Sequence, residues 1–175
     1  MSELHPLLFE LTVDGDRRSL GATDVVVARI LDDLSLFDVV ANALTHDDAL
    51  LQSRAIHVVE RVTQMQPALL QPLKERLLHE LPQTKLWEVR AQLCVLLPRL
   101  DLTPNERAQA VAVAQQFLGD KRSLVRTFAM QTLFDLAQQD GAIHAEVRTI
   151  IEALTVNGTA AMRARGRKLL KAMEE

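Results

Sequence analysis

Val125-Arg126-Thr127-Phe128-Ala129-Met130-Gln131-Thr132-Leu133-Phe134-Asp135-Leu136 is the stretch whose periodicity decides the fold. Val125, Ala129, Leu133 and Leu136 stand at offsets 0, 4, 8 and 11, which keeps them on one face of an α-helix and not of a strand. The same pattern recurs on both sides. It reads Leu51, Ala55, Val59, Val62, then Val89, Leu93, Leu97, Leu100, and last Met162, Gly166, Leu170, Met173. The repeats are displaced by 38, 36 and 37 residues. A helical repeat of that length cannot hide its apolar face alone, so neighbours must stack to bury it.

Each of these helices is preceded by another helical segment: Leu36 to Thr45, Ala68 to Leu81, Asn105 to Leu118 and Ala142 to Leu154. The punctuation agrees with that grammar. Thr103-Pro104-Asn105-Glu106 reads as a capping box with proline at the first helical position. Asn157-Gly158-Thr159 supplies turn residues and then a cap, while Gly119-Asp120 and Asp140-Gly141 mark two further joins. Pro98 ends or kinks the helix that begins near Val89. The N-terminal stretch, 1–34, reads as a degenerate first unit: a short helix over His5 to Val13, a loop over Asp14 to Gly21, and a helix over Asp24 to Leu34 with Thr23 as its cap. The expected architecture is a single all-α domain over 1–175, with four helix pairs in 35–173.

Composition supports an all-helical class. The 175 residues are 48% hydrophobic and 25% charged, with five Phe, one Trp and no Tyr. So few aromatics, with six Gly and six Pro, argue against sandwiches and barrels. The lone Cys94 excludes an internal disulfide and any cysteine-based zinc cluster, and fits a reducing, cytoplasmic setting. No secretory signal and no run of 18 apolar residues is read. Charge is uneven: residues 1–50 carry three basic and ten acidic side chains, whereas 120–175 carry nine basic and seven acidic. A net charge of −3 disfavours indiscriminate nucleic-acid binding.

The period and the helix–turn–helix grammar resemble HEAT repeats. The resemblance rests on the Val-Arg pair that opens the second helix, here Val89-Arg90, Val125-Arg126 and Met162-Arg163, and on turn acids at Asp47-Asp48 and Asp120. Leu51-Gln52, Thr84 and Asn157 depart from it. The chain also resembles a group of small bacterial HEAT-repeat proteins in the stretches Gly15 to Gly21 and Ala161 to Leu170. The resemblance implies a right-handed α–α superhelix whose second helices line a concave binding face.

No catalytic constellation is read. The five histidines are scattered, with no His-Glu-x-x-His and no pair four apart on one helix, so no metal site is expected. There is no nucleophile elbow, P-loop or dinucleotide fingerprint, so no cofactor is expected either. Cys94 sits in an apolar run and reads as an inert core thiol.

The candidate partner-binding residues are polar. Arg17 and Arg18 lie between two glycines ahead of a helix N-terminus, where guanidinium forks suit a phosphate or carboxylate. Their alternative role is to neutralise the acidic N-terminal third. Arg54, Arg61, Arg90, Arg126, Gln131, Arg163 and Arg167 lie on the second helices, as a stripe for an acidic peptide or a phosphate backbone; alternatively Arg90, Arg126 and Arg163 hold inter-repeat hydrogen bonds to turn carboxylates and carbonyls. The cluster Arg163, Arg165, Arg167, Lys168 and Lys171 goes round its helix and reads as a solvated cap.

The expected function is a non-catalytic interaction module that binds another protein or an acidic peptide, with no membrane partner. The alternative is a nucleic-acid binder similar in architecture to HEAT-like alkylpurine DNA glycosylases, with Trp87, Asp135 and Arg126 as candidates. HEAT-like bilin lyases are a third analogy, at the level of fold alone.

Overall fold

A computed structural model describes residues 4–16 and 19–174. All regular secondary structure among the described residues is helical, with no strand among them, so the fold is all-α. The contacts group the chain into two compact units, Met1–Leu93 and Cys94–Glu175.

The first unit contains α1 (Pro6–Glu10), α2 (Thr23–Asp32), α3 (Phe37–Asn42), α4 (Ala49–Met65) and the beginning of α5 (Trp87–Leu96). Short 3₁₀ turns, Leu34–Leu36 and Ala43–Thr45, extend α3 at both ends. α4 is the central helix, packing against α2, α3 and the segment Pro67–Leu73. Asp48 sets its start by accepting from the backbone N–H of Leu50 (2.8 Å) and Leu51 (3.0 Å). Thr23 does not cap α2 as the sequence suggests. It is the first helical residue, and its hydroxyl donates back to the Leu20 carbonyl.

The stretch Ala68 to Leu81 departs most from expectation. It is a 3₁₀ segment (Pro67–Leu73), a wide π turn (Arg76–Glu80) and a further 3₁₀ turn (Leu81–Gln83). Pro72 explains the first part: it has no N–H to donate, and its ring would strike the carbonyl four residues back in an α-helix. The apolar spacing survives, because Leu70, Leu73, Leu77, Leu78 and Leu81 are all buried.

The second unit takes the end of α5, the 3₁₀ turn Leu97–Arg99, α6 (Pro104–Phe117), α7 (Ser123–Gln139), α8 (His144–Asn157) and α9 (Ala160–Ala172). Pro98 lies in the turn that closes α5. The Thr103 capping box forms as read, with the Glu106 carboxylate accepting from the Thr103 N–H at 2.7 Å. α7 packs on α6, α8 and α9, around a core of Ala114, Met130, Leu133, Ala137, Val147, Ile151, Leu169 and Met173.

Of the sixteen positions that define the repeat, all but Leu170 are buried. Burying one such Leu or Val removes apolar surface worth about 1.5–3 kcal/mol. α7 and α9 begin side by side, for the Ser123 and Thr159 hydroxyls share a hydrogen bond of 2.7 Å. Gly166 lets α9 approach closely, since a Cβ there would overlap the Thr155 hydroxyl and stand 2.9 Å from Met130 Cε. A larger residue at this repeat position would force α8 and α9 apart.

Candidate functional site

The second unit carries a cavity of about 140 Å³ lined by Cys94, Val95, Phe128, Gln131, Asp135 and Arg165. Phe128, Gln131 and Asp135 recur at intervals of three and four residues, so α7 presents them along one face. Cys94 and Val95 come from the end of α5, and Arg165 from α9. α5, α7 and α9 therefore meet at this cavity.

Its polar groups form a chain. Gln131 Nε2 donates to Asp135 Oδ1 at 2.8 Å, and Arg165 Nη1 donates to Gln131 Oε1 at 2.8 Å. Gln131 is oriented from both sides: its amide N–H₂ faces the carboxylate and its carbonyl faces the guanidinium. Burial pushes the Asp135 carboxyl above its ordinary value, against the opposing pull of the Gln131 bond and the Arg165 charge. Below the rim, the Thr132 hydroxyl donates to the Cys94 carbonyl at 2.7 Å and fixes the end of α5 against α7. Burial raises the Cys94 thiol to about 12, so it stays a neutral, unreactive wall.

The first unit treats the corresponding face differently. Arg54 is 2% exposed, although the sequence places it among the partner-binding residues. Its guanidinium donates to the Leu11 carbonyl at 2.5 Å, the Asp16 carbonyl at 2.7 Å and the Ser19 carbonyl at 3.2 Å, and pairs with the Asp14 carboxylate. It is a clamp for the loop between α1 and α2. The local sequence explains why an arginine sits there. A loop rich in Asp and Gly leaves carbonyls with no helical partner, and a planar fork with five donors can serve several of them together.

The remaining sequence-derived candidates separate. Arg61 pairs with Asp24 on α2. Arg90 Nε donates to the Thr84 carbonyl at 2.8 Å, and Arg163 Nη1 to the Gly158 carbonyl at 2.8 Å, so both hold the turn ahead of their own helix. The half-buried Arg126 does not line the cavity, and its Nε is buried without an acceptor. Arg167 is exposed on α9 and does not line the cavity either. Arg17 and Arg18 lie outside the described residues. Among the described candidates, Gln131 alone borders the cavity.

The sequence reads Arg165 as a solvated capping residue, whereas the structure puts it at the cavity. The signal was the register: Arg165 stands three residues after Met162, as Phe128 stands three after Val125 and Arg54 three after Leu51. The residues joined by analogy with the glycosylases are Trp87, Asp135 and Arg126. Asp135 lines the cavity, Arg126 does not, and Trp87 belongs to the first unit.

Among the described residues no group of three or more His, Cys, Asp or Glu is placed to hold a metal ion. No helix among them is long and apolar enough to cross a membrane. No protein-family model, curated protein or solved structure matches this chain.

Proposed function

We propose that the chain is a non-catalytic cytoplasmic interaction module, built of HEAT-like repeats in a right-handed α–α superhelix. Its binding site for a loop of a partner protein is the face formed by Val95, Phe128, Gln131, Asp135 and Arg165. A register equivalence carries this reading. Arg54, Phe128 and Arg165 hold the same position in their repeats. At Arg54 that position already grips a polypeptide loop through its carbonyls and one carboxylate. At Phe128 and Arg165 it borders an open cavity. A second arginine in that register, on an exposed stretch of α9, offers a partner the fork that Arg54 offers the chain's own loop. The partner loop this chemistry suits is one rich in free carbonyls and carrying at least one carboxylate.

A photo-crosslinking side chain in place of Phe128, expressed in the native cell, tests this. The expected result is a discrete protease-sensitive adduct that disappears with Arg165→Glu. The same probe in place of Val156, which is 73% exposed on α8, should give none. No adduct at Phe128, or equal adducts at both positions, would overturn the reading. An adduct removed by nuclease would move it to nucleic acid.

A further inference from the structure

The cavity of the second unit combines apolar walls with one carboxylate. Cys94, Val95 and Phe128 supply the walls, and Asp135 the charge. A carboxylate beside apolar surface is costly unless a donor or a cation meets it. Arg165 acts on it through its charge, but neither neighbour forms an ion-pair contact with it. Gln131 gives one neutral hydrogen bond to Oδ1, and the guanidinium of Arg165 bonds to Gln131 instead of to the carboxylate. The volume, about 140 Å³, suits one side chain and is too small for a folded element.

We propose that this cavity receives a lysine side chain of the partner loop, with its four-carbon stem against Val95 and Phe128 and its ammonium on Asp135. Acidic side chains are excluded because two carboxylates would face each other. An ammonium fits better than a guanidinium: Gln131 already occupies Asp135 Oδ1, which spoils the two-oxygen fork that arginine prefers, whereas a point donor needs one free site. Arg165 stands at the rim with its charge exposed to solvent, where salt and water screen its repulsion of an incoming cation. Its free donors then take the loop's carbonyls beside the lysine. The assignment rests on the reading of this face as a polypeptide-binding surface, and adds the side chain that surface selects.

Titration of the ¹⁵N-labelled full chain with n-butylammonium chloride tests it, with 1-butanol and sodium butyrate as controls. Butylammonium should shift the Val95, Phe128, Gln131 and Asp135 amides and the Gln131 side-chain N–H₂ saturably. Butanol at equal concentration should bind about tenfold more weakly, and butyrate should not bind. Asp135→Asn keeps an acceptor for Gln131 and should retain the fold's spectrum while losing at least tenfold in butylammonium affinity. Arg165→Gln should bind butylammonium more tightly, by removing a like charge. Equal shifts with butanol, or unchanged affinity in Asp135→Asn, would overturn the lysine assignment. Because crosslinking at Phe128 needs no cation, its failure would remove the partner-loop reading separately.

Discussion

The guanidinium of Arg54 lies directly against the backbone of Gly21, so that a Cβ built on the glycine would overlap Nη1 and stand 2.7 Å from Cζ. Gly21 also has φ +52°, a left-handed conformation that side-chain-bearing residues enter at a cost. Both facts predict that Gly21→Ala destabilises the chain by about 1–3 kcal/mol. Urea unfolding measures the loss. In an Arg54→Met background the steric part vanishes and only the backbone strain remains, so the two substitutions should be less than additive.

Arg54→Lys separates charge from geometry. A lysine keeps the positive charge but presents one compact group of donors, and it cannot reach the carbonyls of Leu11, Asp16 and Ser19 together with Asp14. Leaving carbonyls without donors should cost about 2–4 kcal/mol. Amide hydrogen exchange is the check. Protection over residues 11–16 and 19–21 should fall more than protection in the middle of α7.

Acid should loosen the same loop. The Arg54 hydrogen bond holds the Asp14 carboxyl below its ordinary range, so the folded chain binds that proton less tightly than the unfolded chain. The stabilisation is therefore present above the ordinary carboxylate range and is lost as pH falls through the lowered folded value. Asp14→Asn should remove this acid-dependent component of the exchange rates at the loop amides. If wild type and variant change identically with pH, the pair has no such role.

Gly166 tests the packing of the second unit. Gly166→Ala places a methyl on the Thr155 hydroxyl and close to Met130 Cε, and overpacking of this kind costs about 1–3 kcal/mol. Thr155→Ala should recover part of the loss, because it removes the overlapping oxygen. It cannot recover all, since the Thr155 Cβ stands only 3.1 Å from the new methyl. Thermal melts of the two single variants and the double variant give the coupling directly.

Periodicity reveals the helices because burial is what spaces Val125, Ala129, Leu133 and Leu136, and each of these is buried. Capping is legible at Thr103 for a related reason: hydroxyl, proline and carboxylate stand at the three positions a helix start uses. The segment after Pro67 is not legible as 3₁₀ and π turns, since its leucines keep helical spacing while Pro72 alters the hydrogen bonding beneath them. The surroundings of an arginine are the least legible in the sequence. Arg54 and Arg165 share a register, yet one is buried under a loop and the other is exposed at a cavity. That difference depends on Leu11, Asp14, Asp16, Ser19 and Gly21, far away in sequence, and no property of the helix itself encodes it.

Cys94 should be silent toward thiol reagents in the native chain. The side chain is buried, and a thiol raised to about 12 has almost no thiolate at neutral pH. A colourimetric disulfide reagent should react with it only at the rate of unfolding, and fully in denaturant. Fast reaction under native conditions would mean that the end of α5 opens from α7 and that the cavity wall is not preformed.

Asp135 makes the opposite pH prediction from Asp14. Burial raises its carboxyl, so the folded chain holds this proton more tightly than the unfolded chain. Stability from that source is complete below the ordinary carboxylate range and is lost as pH rises through the raised folded value. At neutral pH the ionised carboxylate is therefore a liability in the free protein. Asp135→Asn, which never ionises and still accepts from Gln131, should melt at the same temperature as wild type or higher at pH 7. The difference should shrink as the pH is lowered. A stabilising substitution at a half-buried position marks a residue kept for a purpose other than folding. If Asp135→Asn instead melts well below wild type at pH 7, the carboxylate is part of the framework, and its place in the binding face falls with it.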